Sequence, residues 1–287
     1  MAPEQRLIEL PDGRRLGLRC WSGSGLPVVL IHGLLDSSAG WNRLASGLPN
    51  PCIAPDLPGF GQSDMPTTPR LSAYADDVVD ALYRLDIERF ILVGHSLGGA
   101  VAGAIADSYQ DRIVALALIA PAGFGRIRAA EALSRPGARR VVGGVLPLAM
   151  ANPVFLTGLY MTVVTNGSLP ESEFLQRLVR RVRVAGAGAQ TAARAVVAAG
   201  RSPDGFSRRG LPYRGPARVL WGDHDRLVHI GHVSGVRAAL PQAQVEVWPG
   251  MGHHPQRERP RDLARFIGDL CAEAMPLRAT RRARPAA

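Results

Sequence analysis

No stretch of the 287 residues approaches the roughly 18 to 20 unbroken apolar positions needed to cross a bilayer, so no membrane span is expected. The opening, Met1-Ala2-Pro3-Glu4-Gln5-Arg6, sets an acid beside its base and has no apolar stretch behind it, which argues against a secretory signal. Cysteine is scarce. Cys20, Cys52 and Cys271 are far apart and odd in number, with no CxxC pair and no metal-ligand spacing. A disulfide scaffold is thereby excluded, and idle thiols in a reducing, cytoplasmic compartment are expected. Lysine is missing, and arginine carries a formal net charge of +10. That charge does not make a nucleic-acid binder. It is spread along the chain and into the tail Arg278-Ala279-Thr280-Arg281-Arg282-Ala283-Arg284, and there is no zinc-finger spacing or aromatic-studded basic sheet. What remains is ordinary globular composition, 46% hydrophobic and 20% charged, in a chain long enough to bury one large core.

The apolar pattern organises that core. Leu7-Ile8-Glu9-Leu10 and residues 16–21 flank Pro11-Asp12-Gly13, a hairpin signal. Short apolar runs follow at 27–31, 52–56, 90–93 and 113–119, and again at 217–221 and 245–248. Runs of Val, Ile and Leu without polar alternation suit parallel strands buried on both faces. Between them lie helical patterns at 72–85, with Ser72 placed to cap it, at 100–108 and at 260–274. Alternating strands and helices imply a parallel α/β sheet. The alternation stops between about 123 and 210, a stretch that reads as helical but is interrupted at Pro136, Pro147, Pro153 and Pro170. The predicted organisation is therefore a core at 1–122 and 211–275, an inserted helical cap at 123–210 and a disordered basic tail at 276–287.

Gly94-His95-Ser96-Leu97-Gly98 carries the strongest chemical signal. A GxSxG is short, but here an apolar strand precedes it and a small-residue helix follows, the setting of a nucleophile elbow. The strand must turn sharply into the helix and leave Ser96 at the apex. Glycines two before and two after remove Cβ atoms that would collide, and the helix N-terminus favours developing negative charge. Acyl transfer also needs two fixed donors for the oxyanion. The N–H groups of Leu97, after the serine, and Leu34, after His32-Gly33, are the candidates; a plain strand-end turn is the alternative for His32-Gly33. Downstream stand Asp223 and Asp225 in Trp221-Gly222-Asp223-His224-Asp225, after a strand, and His253 after Pro249-Gly250-Met251-Gly252. Strand C-terminal ends are where α/β sheets assemble sites. His254 is expected to point elsewhere.

These motifs, with Asp56-Leu57-Pro58-Gly59-Phe60-Gly61-Gln62-Ser63 and Glu258-Arg259-Pro260, resemble the α/β-hydrolase fold family over about residues 5 to 272. The resemblance implies an eight-stranded, mostly parallel sheet flanked by helices, with an inserted cap. It also implies Ser96 as nucleophile, Asp225 rather than Asp223 as the acid, and His253 as the base. A serine nucleophile argues against the dehalogenases and epoxide hydrolases of that family, which use aspartate. The expected activity is hydrolysis of a small or medium apolar carboxylic ester or lactone, a small-molecule substrate, without cofactor or metal. Alternatives are carbon–carbon bond hydrolysis of a diketone-type substrate, suggested by Ala120-Pro121-Ala122-Gly123-Phe124-Gly125, acyltransferase or lyase chemistry on the same scaffold, or a non-catalytic binding protein. Phe155, Leu159 and Met161 of the cap are the expected substrate-binding residues, and Arg177, Arg180 and Arg181 are candidates for a substrate carboxylate.

Overall fold

In the computed structural model the described residues are 2–135, 152–170, 174–176, 191–195, 197 and 206–274. The Asp12-Gly13 turn closes the opening hairpin, with Gly13 at φ 83°. Its strands, β1 (Glu4–Glu9) and β2 (Arg15–Trp21), pair antiparallel from Glu9 opposite Arg15 to Glu4 opposite Cys20. The other strands are β3 (Val28–Ile31), β4 (Cys52–Pro55), β5 (Phe90–His95), β6 (Ile113–Ile119), β7 (Ala217–Gly222) and β8 (Gln244–Trp248). They complete one eight-stranded sheet in the order β1-β2-β4-β3-β5-β6-β7-β8. Only the β1–β2 and β2–β4 pairs are antiparallel. The parallel remainder is connected through helices, as parallel strands require.

Burial on both faces explains the apolar runs. Along β3, Val29 and Ile31 join one core cluster, while Val28 and Leu30 join the other. Along β5, Phe90 and Leu92 alternate with Ile91 and Val93 in the same way. Helices α2 (Leu71–Tyr83) and α3 (Leu97–Ser108) contribute Tyr74, Val78, Val101 and Ile105 to the first cluster. The short α1 (Asn42–Ala45) and the final helix at Pro260–Ala274 contribute Leu44, Leu263, Ile267 and Leu270 to the second. The spacing of Leu263, Ile267, Leu270 and Ala274 is that of one helical face. Each large apolar side chain so buried is worth about 1.5–3 kcal/mol. Ser72 does not cap α2: it lies inside the first turn, the cap position is Arg70, and no side-chain cap bond forms there.

After β6 the described chain turns helical. It forms α4 (Arg128–Ser134), then α5 (Pro153–Leu159) and a π-helical turn at Tyr160–Val164. Asn152 starts α5 by accepting from the Val154 and Phe155 N–H groups, with Pro153 in the first turn, where its missing N–H costs nothing. Leu156, Tyr160 and Phe174 form a small apolar cluster of their own, against which Leu35 packs. Much of the predicted cap, including Arg177, Arg180 and Arg181, and the predicted tail at 276–287 lie outside the described residues. Among the described residues no helix is long and apolar enough to cross a membrane.

Candidate active site

Ser96 sits where β5 breaks into α3, at φ 55° and ψ −115°. That region is disfavoured for a residue with a Cβ, at a cost of order 1–3 kcal/mol. The surroundings impose it. The Ser96 N–H donates to Ile119 O at 2.9 Å, while the Ser96 carbonyl accepts from Gly99, Ala100 and Ala122. Glycine is required on both sides, because a Cβ on Gly94 would collide with the Gly98 carbonyl, and one on Gly98 with the Ile31 carbonyl.

The loop after β3 closes over this elbow. A Cβ on Gly33 would stand 3.0 Å from His95 Nδ1 and 3.1 Å from Ser96 Cβ. His32 anchors the loop, donating from Nδ1 to Gly33 O at 2.8 Å and accepting the Leu57 N–H at Nε2 at 2.9 Å. The N–H groups of Leu34 and Leu97 have no acceptor among the described residues. Both residues line the same cavity as Ser96. Asp36, two residues past Leu34, holds the loop from below through a buried two-pronged ion pair with Arg257 at 3.1 Å.

Asp225 and His253 come from the loops after β7 and β8. His253 Nδ1 donates to Asp225 Oδ2 at 2.7 Å, and both residues are buried. The other carboxylate oxygen accepts the Leu227 and Val228 N–H groups, each at 2.9 Å. Burial pushes the Asp225 carboxyl up, but His253 and the two peptide donors outweigh it, and its pKa falls below the ordinary aspartate value. Asp223 is placed differently. It is at the surface, bonded to His224 Nδ1 at 2.7 Å and to the Gly250 N–H at 2.8 Å.

The backbone of His253 is held from two sides. Its N–H donates to Val164 O, at the end of the π-helical turn, at 2.7 Å, and its carbonyl accepts from His95 Nε2 at 2.7 Å. His95 Nδ1 in turn accepts from Gln256 Nε2 at 3.2 Å. Burial first, and then the neighbouring His253, push the His95 imidazole down to about 3. It is therefore neutral, with its proton on Nε2.

These groups open into a cavity of about 310 Å³. Its walls include Leu34, Leu35, Leu156, Leu159, Val163 and Phe174, and no charged side chain lines it among the described residues. Of the three cap residues expected to bind substrate, Leu159 lines the cavity. Phe155 does not: it is 51% exposed, on the outer side of α5. Met161 is not among the lining residues either, because successive residues of the helical turn leave the stripe that faces the cavity. His254 does not point elsewhere. It is buried, lines the cavity, and its ring lies 5.5 Å from that of His253. His254, His95 and Tyr160 are wall residues that motif reading missed. The traces in the sequence are His95 inside the elbow motif and the paired His253-His254.

His95, His253 and His254 could each offer a nitrogen to a metal, all within 4.8 Å of one another. Both His95 nitrogens and the Nδ1 atoms of the other two are already hydrogen-bonded. Only two uncommitted ring nitrogens remain, short of the three protein ligands of a catalytic zinc site.

A family profile described as the alpha/beta hydrolase family matches residues 28–266. The chain belongs to the alpha/beta hydrolase family. This hydrolase is 31% identical to an uncharacterized protein of Mycobacterium tuberculosis over 277 residues, covering 93% of this chain and 80% of the relative. It is 27% identical to a 2-hydroxymuconate semialdehyde hydrolase of a Pseudomonas species, covering 88% and 89% of the two chains. Among solved structures, a thermophilic esterase from Thermogutta terrifontis superposes with a TM-score of 0.72 at 25% identity, covering 94% of this chain and 99% of that one.

Proposed function

We propose that this hydrolase cleaves a small or medium apolar carboxylic ester or lactone through an acyl-enzyme intermediate. The observation that carries the reading is the convergence on one apolar cavity of the elbow serine Ser96 and of His253, whose Nδ1 is held by the buried Asp225. In this mechanism Ser96 Oγ attacks the carbonyl carbon and its proton passes to His253 Nε2. Asp225, ionised, keeps the histidine proton on Nδ1 and stabilises the imidazolium. The tetrahedral oxyanion accepts from the Leu34 and Leu97 N–H groups, which have no acceptor among the described residues. Collapse expels the alcohol, which takes the proton from His253. A water deprotonated by His253 then attacks the acyl carbon, releasing the acid and restoring Ser96.

The apolar lining supports a neutral substrate, since a charged group would lose its hydration there without a partner. Carbon–carbon hydrolysis is the second reading, favoured by the name of the Pseudomonas relative. A fluorophosphonate serine probe, followed by a panel of p-nitrophenyl esters, lactones and diketones, tests both. Labelling is expected at Ser96, with ester or lactone turnover that falls on the order of a million-fold in Ser96→Ala. Retained turnover in a folded Ser96→Ala protein overturns the mechanism. Turnover of diketones alone overturns the ester reading.

A further inference from the structure

The cavity wall holds a polar group for which this mechanism has no use. Tyr160 Oη lies 2.9 Å from His254 Nδ1, and both side chains are buried. A phenol is the more acidic partner, so Tyr160 donates and His254 accepts at Nδ1. That places the imidazole proton on Nε2. Burial, reinforced by His95, His253 and Arg257, holds the His254 pKa well below its ordinary value, so the ring stays neutral. The His254 peptide N–H is separately occupied, donating to Glu258 Oε1 at 3.1 Å. Among the described residues, nothing accepts from His254 Nε2. Nor is that atom among the side-chain atoms sealed from solvent without a partner. It belongs to a ring that lines the cavity beside His253. Phe174, whose ring lies 6.2 Å from that of His254, offers it no acceptor.

A donor left open in an apolar cavity is an incentive for a ligand acceptor, because its hydrogen bond is otherwise unmade. We infer that His254, with its tautomer set by Tyr160, is a specificity residue that donates from Nε2 to a second oxygen of the substrate, so that this hydrolase prefers an ester or lactone bearing a keto, hydroxyl or ether oxygen near the scissile carbonyl. The inference rests on the ester or lactone reading above. Tyr160 acts through His254 and is a positioning residue.

The test compares matched p-nitrophenyl esters whose acyl chains have equal length and differ only in one oxo group or ether oxygen replacing a methylene, moved along the chain. The full-length enzyme is expected to favour one oxygenated isomer by about tenfold or more in kcat/KM, because a site built to donate rejects the analogue without the acceptor. His254→Phe is expected to erase that preference, bringing the kcat/KM ratio of the oxygenated to the plain ester close to one. His254→Gln, which keeps an N–H donor, is expected to restore part of it. Tyr160→Phe is expected to reduce it by freeing the tautomer. The readout is a ratio within each variant, so loss of stability or of active fraction cancels. An enzyme that hydrolyses every ester in the series without positional oxygen preference overturns the inference and leaves the ester reading standing. An unchanged preference in both His254→Phe and Tyr160→Phe also overturns it. An enzyme that turns over none of the esters or lactones, plain or oxygenated, overturns the ester reading itself.

Discussion

The floor and the roof of the cavity are built on opposite terms. The floor, from Gly33 to Leu34 and from Gly94 to Gly98, hangs on the buried centre of a parallel sheet, where β3 pairs with β5 and β5 with β6. It tolerates almost no change, since side chains at Gly94 or Gly98 would strike neighbouring backbone. It also stores a strained conformation at Ser96. The roof, around α5 and the turn after it, is a small cluster of its own that leaves Val154 and Leu169 about four-fifths and three-quarters exposed. In the proposed mechanism the first element positions the reacting atoms and the second offers surface to a substrate. The two meet at the His253 loop, held by the roof through Val164 O and by the floor through His95.

The comparison breaks most visibly at the acid. Asp225→Asn is expected to lower kcat by on the order of ten-thousand-fold, because the histidine then loses the acceptor that fixes its tautomer. Asp223→Asn, at the surface beside His224, is expected to change kcat only a few-fold. Steady-state kinetics on the two purified variants settles the ranking, and a larger effect at Asp223 means that the floor is assembled around the other carboxylate.

The roof gives a smaller effect of a different kind. Leu159→Ala enlarges the cavity and is expected to shift the preferred acyl length by one or two carbons. The size of this change follows from the 1–3 kcal/mol of discrimination per methylene in an apolar pocket, about 10- to 200-fold in kcat/KM ratio. Phe155→Ala and Met161→Ala, outside the lining, are expected to leave the chain-length profile within a few-fold of the parent. If Phe155→Ala reshapes the profile while Leu159→Ala does not, the roof is read from the wrong side.

The smallest effect sharpens the contact between floor and roof. Folded His95 stays neutral down to about 3, whereas an unfolded histidine protonates near 6.5. Between those values the unfolded state binds the extra proton, so stability rises with pH and is lost as the pH falls below about 6.5. The slope from this one group is at most about 1.4 kcal/mol per pH unit. Urea unfolding of His95→Gln between pH 4 and 6 is expected to show a dependence shallower by about one proton. An unchanged slope means that His95 is charged in the folded protein.

How much of this was legible beforehand follows the range of the interactions. The hairpin turn at Asp12-Gly13, the strand at Ile113–Ile119 and the helix at Pro260–Ala274 are written in neighbouring residues, as turn chemistry and period. The elbow is likewise local, since glycines at fixed distances from Ser96 are a demand of one sharp turn. Ser72 shows the limit even at short range: a good capping side chain was present, and the helix began one residue before it.

What the sequence by itself determined is the class of sheet, the sharp turn at Ser96 and the order along the chain of Ser96, Asp225 and His253, which meet in the fold. Each of these depends on a backbone path that short segments prefer on their own. Which face of the helix at Pro153–Leu159 and of the turn after it meets the cavity was decided only in three dimensions, and that decision took in Leu159 and left out Phe155 and Met161. So was the placement of His254 against Tyr160, 94 residues apart. The same holds for His95 beneath the carbonyl of His253, across 158 residues. Such contacts leave no periodicity to read, because they are made by the packing of separate elements, and the hydrogen bond that fixes a tautomer or a ring exists only once the fold has brought its two ends together and excluded water from between them.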